Sequence, residues 1–220
     1  MNRIFAIGDI HGCNKTLREM LFEKLQIQRT DHIYCIGDYI DRGPDSKGVI
    51  DTLLQLKKDG FTIHTLRGNH EQMMMDSING KQELKLWKQN GGDTTLTSFG
   101  VQSFSHLSEE YRQFFYDTGF YLTHGHYIFA HAGLNFNRKN LFEDKEAMLW
   151  QRGFESYQPS LETHILIHGH TPKPLAYILN QDGNCINIDG GCVYKNRMGL
   201  GNLVAVSLAD RKFLAIPNCD

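Results

Sequence analysis

The sequence predicts an α/β protein, and three observations carry that expectation. Short apolar runs at 3–7, 32–36 and 61–66 have the length of buried strands and are too short for buried helices. Segments with helical spacing of apolar residues lie between them. Each run stops at glycine followed by an acid or an amide, as Gly8-Asp9, Gly37-Asp38 and Gly68-Asn69. Strand–helix–strand–helix–strand is the pattern of a parallel βαβαβ unit.

Taken in order, residues 3–7 read as the first strand, covered on both faces. Leu17, Met20, Leu21 and Leu25 define one helical face over 14–26, with Asn14 as candidate cap. The second strand covers 32–36. Pro44 is expected to open a helix to about Lys58, because proline suits the first turn, and Gly60 to end it. The third strand covers 61–66. Helical stretches at 70–78, 82–89, 92–98 and 108–117 make an excursion over about 72–118. Strands are expected near 120–123 and 126–130, joined by His124-Gly125 as a hairpin. A helix over about 145–151 follows, then strands near 164–168, 175–179, 184–188 and 202–208. No internal repeat or linker interrupts the chain, so 1–220 read as a single domain.

Composition narrows the function. Lys and Arg number 23 against 25 Asp and Glu, a formal charge of −2. That excludes the strongly basic class of nucleic-acid binders, and no nucleic-acid partner is expected. No apolar run approaches a membrane span, so no membrane partner is expected either. The five cysteines are odd in number, irregularly spaced and without C-x-x-C. They read as reduced thiols, which points to the cytoplasm. The 11 histidines are the unusual feature, several of them beside glycines.

The chemistry sits where strands end. The segments are Gly8-Asp9-Ile10-His11-Gly12, Gly37-Asp38-Tyr39-Ile40-Asp41-Arg42-Gly43, Gly68-Asn69-His70-Glu71, His131-Ala132-Gly133 and His168-Gly169-His170-Thr171. Ligands of open α/β sheets bind beyond the carboxyl ends of the strands. Carboxylate, amide oxygen and imidazole without thiolate suit Mn²⁺, Fe or Zn²⁺. Asp9 and His11 are two apart, so on an extended backbone both point to one face. Asp38 is central, and one carboxylate can bridge two ions.

These five ordered motifs resemble the phosphoprotein phosphatase family of metallophosphoesterases, most closely its compact bacterial and phage serine/threonine protein phosphatases. The resemblance spans about residues 3–190. It implies a calcineurin-like sandwich of two mixed β-sheets flanked by helices. It also implies two divalent metal ions, Mn²⁺ expected with Fe or Zn²⁺ compatible. Asp9 and His11 would bind the first ion, Asp38 would bridge, and Asn69, His131 and His170 would bind the second. Asp41 and His70 would form an acid/base dyad. Arg42, Asn69 and Arg152 would hold the phosphate, Arg152 resting on Trp150-Gln151-Arg152 alone. His170 is preferred over His168 because the family motif uses the histidine before Thr171.

The implied reaction is hydrolysis of phosphoserine or phosphothreonine in proteins and peptides by a water bridging the two metals. An alkoxide is a poor leaving group, so a proton donor such as His70 helps. Guanidinium suits phosphate bidentately, which fits Arg42. The alternative is hydrolysis of dinucleoside polyphosphates, such as diadenosine tetraphosphate, at the same site. A nuclease reading is disfavoured, because Asn69-His70-Glu71 and Gly169-His170-Thr171 replace the G-N-H-D and G-H-x-H of that class. A binding module without turnover would be expected to have lost ligands, and every position is filled. Glu71 either supports the site or favours the start of its helix by charge. Trp87 is expected to pack, or else to line the substrate groove.

Overall fold

The computed structural model describes residues 2–153, 161 and 163–220. Two mixed sheets lie face to face. In the first, β1 (Ile4–Ile7), β2 (His32–Cys35) and β3 (Thr62–Thr65) are parallel. Antiparallel β8 (Asn202–Ser207) and β9 (Phe213–Pro217) complete it, in the order β3-β2-β1-β8-β9. In the second, β4 (Tyr121–His124) is antiparallel to β5 (Tyr127–Ala130). Parallel β6 (Ile165–His168) and β7 (Cys185–Asn187) follow in the order β4-β5-β6-β7.

Sequence explains the layering. The inward side chains Ala6, Tyr34, Ile36, Phe129, Ile167, Val204 and Val206 form a core between the sheets. The outer face of the first sheet packs on helices, through Leu17, Leu21, Val49, Leu53, Met74 and Phe115. These helices are α1 (Asn14–Arg18), which widens into a π-helical turn over Glu19–Lys24, α2 (Ser46–Lys58) and the excursion. The excursion comprises α3 (Asn69–Asp76), α4 (Lys81–Trp87), α5 (Asp93–Phe99) and α6 (Glu109–Tyr116). A smaller core, with Ile128, Leu166 and Met148, seats α7 (Lys145–Trp150) on the second sheet.

Register places the site. Ile7 pairs with Cys35, and Cys35 with Thr65. The three parallel strands therefore end level, and the chain leaves them side by side at one rim. His168 pairs with Asn187, so β6 and β7 also end together.

The structure departs from expectation in five places. Residues 175–179 form a helix, α8 (Leu175–Leu179), not a strand. Pro174 caps it, and of its five apolar residues only Ile178 is buried, because the run wraps a full helical turn. A run that short does not reveal its period. Strand β9 was not expected; it is a short edge strand ending in Pro217, where proline is tolerated. Asn14 is the first residue of α1, not its cap; its side chain bonds Asp45 and Thr52. The N–H groups of Lys15 and Thr16 instead donate to the Asp220 carboxylate. Pro44 precedes α2 without opening it, because Asp45 caps that helix by accepting from Gly48 N at 2.8 Å. The hairpin turn is Gly125-His126, one residue later than expected, since His124 still pairs with Tyr127.

Gly8 lets the sheets meet at the rim: a methyl group there would lie 2.0 Å from the Ile188 carbonyl oxygen. Gly8→Ala is expected to lower stability by about 1–3 kcal/mol, the scale of overpacking. The readout is a lower urea midpoint at unchanged slope. An unchanged midpoint would show that the two sheets can part there without cost.

Candidate metal centre

The turns after β1, β2 and β3 bring Asp9, His11, Asp38, Asp41, Asn69 and His70 together, all buried. The turns after β5 and β6 add His131 and His170 from the second sheet, also buried. The backbone is held tightly here. Of the non-glycine residues with positive φ, five belong to the site: His11 (48°), Asp38 (51°), Asp41 (72°), Arg42 (67°) and His170 (67°). Such conformations persist where surroundings over-determine them, and they cluster at functional sites. The extended path expected from Asp9 to His11 is therefore absent; a turn brings both to the rim.

Asp38 is the hub. Its Oδ2 lies 3.4 Å from His11 Nε2 and its Oδ1 3.5 Å from His131 Nε2. Two donor groups share it: His11, Asp38 and His70 on one side, Asp38, His131 and His170 on the other. Asn69 Oδ1 is 3.0 Å from His131 Nε2 and 2.9 Å from His170 Nδ1. Asp9 lies beside these groups, its Oδ2 accepting from His170 N at 3.1 Å. His168 joins neither group, so His170 is the histidine this turn delivers to Asp38.

Backbone carbonyls orient the rings. His11 Nδ1 is 2.8 Å from Ile40 O, and His131 Nδ1 is 3.0 Å from Ile36 O. A donor Nδ1 leaves Nε2 as the free lone pair, the arrangement a metal-binding imidazole needs. Burial pushes His11, His131 and His170 below the ordinary imidazole range, His170 to about 3. Burial also pushes Asp38 up, but the facing histidines, His131 first, outweigh it and hold its carboxyl below the usual range.

The surrounding carboxyls are pushed up. Burial raises Asp9, with Asp189 and Asp38 adding to it. Burial takes Glu71 to about 8 and Asp189 to about 7, with the charge of Asp38 reinforcing both. Among the described residues, Asp9 Oδ1 and His170 Nε2 are buried without a hydrogen-bond partner. Clustered carboxylates, neutral imidazoles and orphaned acceptors are what a divalent cation compensates. The donor set fits divalent metal on the oxygen- and nitrogen-binding side of the series.

A second constellation adjoins the hub. Asp41 Oδ2 is 2.6 Å from His70 Nδ1. Trp87 Nε1 donates to the same carboxylate at 2.9 Å, and Thr95 Oγ1 donates to its Oδ1 at 2.6 Å. Asp41 is thus a buried, multiply bonded acceptor; the capping role before α2 belongs to Asp45. Arg42 Nη1 reaches His11 Nε2 at 2.7 Å. Arg152 lies at the opposite rim, 3.5 Å from Thr171 Oγ1, and lines a cavity of about 380 Å³ with Trp150, Gln151 and Asn135.

Glu71 supports the site and meets the start of its helix through hydrogen bonds, while burial disfavours its charged form. Its carboxylate accepts from Gly68 N at the start of α3, and also from Asp38 N and Tyr39 N, fixing the turn that carries the hub. Trp87 does pack, but its indole N–H also serves Asp41, a role sequence reasoning missed along with Thr95. Asp189 was missed too. It is buried after β7, accepts from Gly191 N at 2.8 Å and faces Asp9. Its signal was Asp189-Gly190-Gly191, one more acid beside glycine at a strand end. Other histidines lie away from the rim: His32 Nδ1 and His64 Nε2 are 3.3 Å apart. His124 is also partnered, by the Tyr34 hydroxyl at 3.0 Å.

Relatives sharpen the picture. The chain is 44% identical to serine/threonine-protein phosphatase 1 of Salmonella typhimurium, over 43% of this chain and 42% of that protein. It is 26% identical to an asymmetrical bis(5'-nucleosyl)-tetraphosphatase of Oceanobacillus iheyensis, over 97% of this chain and 92% of the relative. In fold it is similar to the cold-active protein-tyrosine phosphatase of a Shewanella species. That likeness has a TM-score of 0.64 at 16% identity and covers 98% of this chain and 80% of the other. No helix among the described residues is long and apolar enough to cross a membrane. The calcineurin-like phosphoesterase family matches residues 2–202, a span that contains every candidate site residue, and the chain belongs to that family of metallophosphoesterases.

Proposed function

We propose that the protein is a phosphomonoesterase acting on phosphoserine and phosphothreonine in proteins and peptides, and that residues 1–220 form one catalytic domain. The observation that carries this reading is the Asp41–His70 pair at 2.6 Å beside the Asp38 hub. It puts a positioned proton donor next to the donor groups for metal.

Asp9, His11 and Asp38 would hold one divalent ion, and Asp38, Asn69, His131 and His170 a second. Mn²⁺ is the expected metal, with Fe or Zn²⁺ compatible with the same donors. When bound, the ions supply positive charge to the phosphoryl oxygens and lower the pKa of the attacking water.

The chain's own residues do the rest. His70 adjoins His11 and Asp38, yet its Nδ1 is engaged by Asp41. When the ring carries both protons, Nδ1–H donates to the Asp41 carboxylate, which balances the ring's charge, and the Nε2 proton passes to the departing alkoxide oxygen, leaving a neutral imidazole. Trp87 and Thr95 keep Asp41 an acceptor and fix its rotamer, so the pair is set before substrate arrives. Arg42 and Arg152 address the phosphate oxygens from two rims. Arg42 must first leave His11 Nε2, because one lone pair cannot serve both a guanidinium and a metal.

A second reading, hydrolysis of dinucleoside polyphosphates, draws support from the relative that matches over nearly its whole length. The two are separated by phosphate release from a phosphothreonine peptide and turnover of diadenosine tetraphosphate, measured side by side with metal-stripped protein re-supplied with Mn²⁺. Faster turnover of the peptide is expected; the reverse order moves the function to nucleotides.

His70→Asn is expected to lower kcat on alkyl phosphates by about 10²–10⁴-fold. Aryl phosphates, whose leaving groups need less protonation, should lose less, and equal losses would remove His70 as the acid. Trp87→Phe keeps the packing but removes a donor to a buried carboxylate. It should cost about 1.5–3 kcal/mol in stability, together with a fall in kcat on alkyl phosphates. A variant as stable and active as the parent would show that Asp41 needs no support from the indole.

A further inference from the structure

We propose that Arg197 is a specificity-determining residue that reads a second anionic group on the substrate, outside the phosphate being hydrolysed. The inference rests on the phosphomonoesterase reading and extends it to substrate choice.

The loop joining β7 to β8 is a series of closed turns. Tyr194 N donates to Gly191 O at 2.8 Å, Arg197 N to Tyr194 O at 2.9 Å, and Leu200 N to Arg197 O at 3.0 Å. Gly201 N returns to Gly191 O at 3.0 Å and closes the loop at its base. Gly201 has φ +85°, and a methyl group there would lie 2.6 Å from Lys195 Cα, so the loop packs against itself. Tyr194 and Arg197 are three residues apart across one such turn. The Arg197 guanidinium accordingly sits 4.4 Å from the centre of the Tyr194 ring.

The same ring reaches the active site. The Arg42 guanidinium is 5.7 Å from its centre, and Arg42 is the residue that touches His11. Tyr194 is therefore a shared platform for the guanidinium proposed to bind phosphate and for a second one at the outer rim. Among the described residues, Arg197 has no carboxylate within ion-pair distance, whereas Arg3, Arg112 and Arg138 each have one. Its side chain is exposed. An ordered cation without a counter-ion, one aromatic ring from the phosphate site, suits an anion the substrate brings. A phosphomonoester carries at most two charges, and Arg42 and Arg152 already face them. Arg197 is left for a different part of the molecule. Its chemistry is that of an acidic side chain near the phosphorylated residue, or of a further phosphate in a polyphosphate chain.

The test uses the metal-loaded full chain and its Arg197→Gln, Arg197→Lys and Arg197→Glu variants. The probes are two phosphothreonine peptides, one with acidic and one with neutral flanking residues, and diadenosine tetraphosphate. The parent should prefer the acidic peptide in kcat/KM, with the preference in KM and shrinking as salt rises. Arg197→Gln should reduce that preference about 2- to 5-fold, the scale of an exposed ion pair. Arg197→Lys should retain most of it, and Arg197→Glu should reverse it. A rise in KM confined to diadenosine tetraphosphate would also support the inference and would identify the second anion as phosphate. Equal losses on every probe would assign Arg197 a structural role and overturn it, as would ratios unchanged from the parent. A parent that turns over none of the probes would overturn the phosphomonoesterase reading and this inference with it.

Discussion

Five carboxyl groups are buried within one rim of this protein: Asp9, Asp38, Asp41, Glu71 and Asp189. Buried carboxylates are costly unless they are protonated, hydrogen-bonded or paired with cations. Glu71 is satisfied by three backbone N–H groups, and Asp189 accepts from Gly191. Asp38 faces imidazoles that burial keeps neutral, and Asp9 keeps one oxygen without a partner among the described residues. Much of the local architecture serves to hold these groups together. Gly8 allows the sheets to approach, five side chains accept left-handed backbone, and Glu71 ties the Asp38 turn to the start of α3. A rim that concentrates negative charge and imidazole lone pairs in this way is a cation site in chemical terms.

The helical excursion has a second task besides covering the sheet. It folds back so that α4 and α5 each present one hydrogen-bond donor to Asp41. The outer rim is built from other parts: Arg42, the β7–β8 loop with Tyr194 and Arg197, and Trp150 with Arg152 after the second sheet's turns, the segments proposed above to meet substrate. The rigid interior and the rim thus come from different segments. In that arrangement substrate preference can change without disturbing the hub.

Sequence legibility followed the range of the interactions. Asp9, Asp38, Asn69, His131 and His170 could be found because each follows a short apolar run and has glycine within two residues, a local signal. The parallel βαβαβ start was legible for the same reason, and the ends of α3, α5, α6 and α7 fell within a few residues of expectation. Trp87 and Thr95 lie 46 and 54 residues from Asp41 in the chain, and only the tertiary fold brings them together. Residues 175–179 misled because five apolar residues carry no readable period. Insertion of β8 beside β1 depends on long-range pairing that no local pattern announces, and it carries β9, paired to β8 across a short turn, to the sheet's edge.

The most direct measurement is a calorimetric titration of the metal-stripped protein with Mn²⁺, alongside Asp38→Asn. The account predicts two ions bound per parent chain and weakened binding of both in the variant, since one carboxylate serves both donor groups. Two ions bound by Asp38→Asn with the affinities of the parent would contradict it.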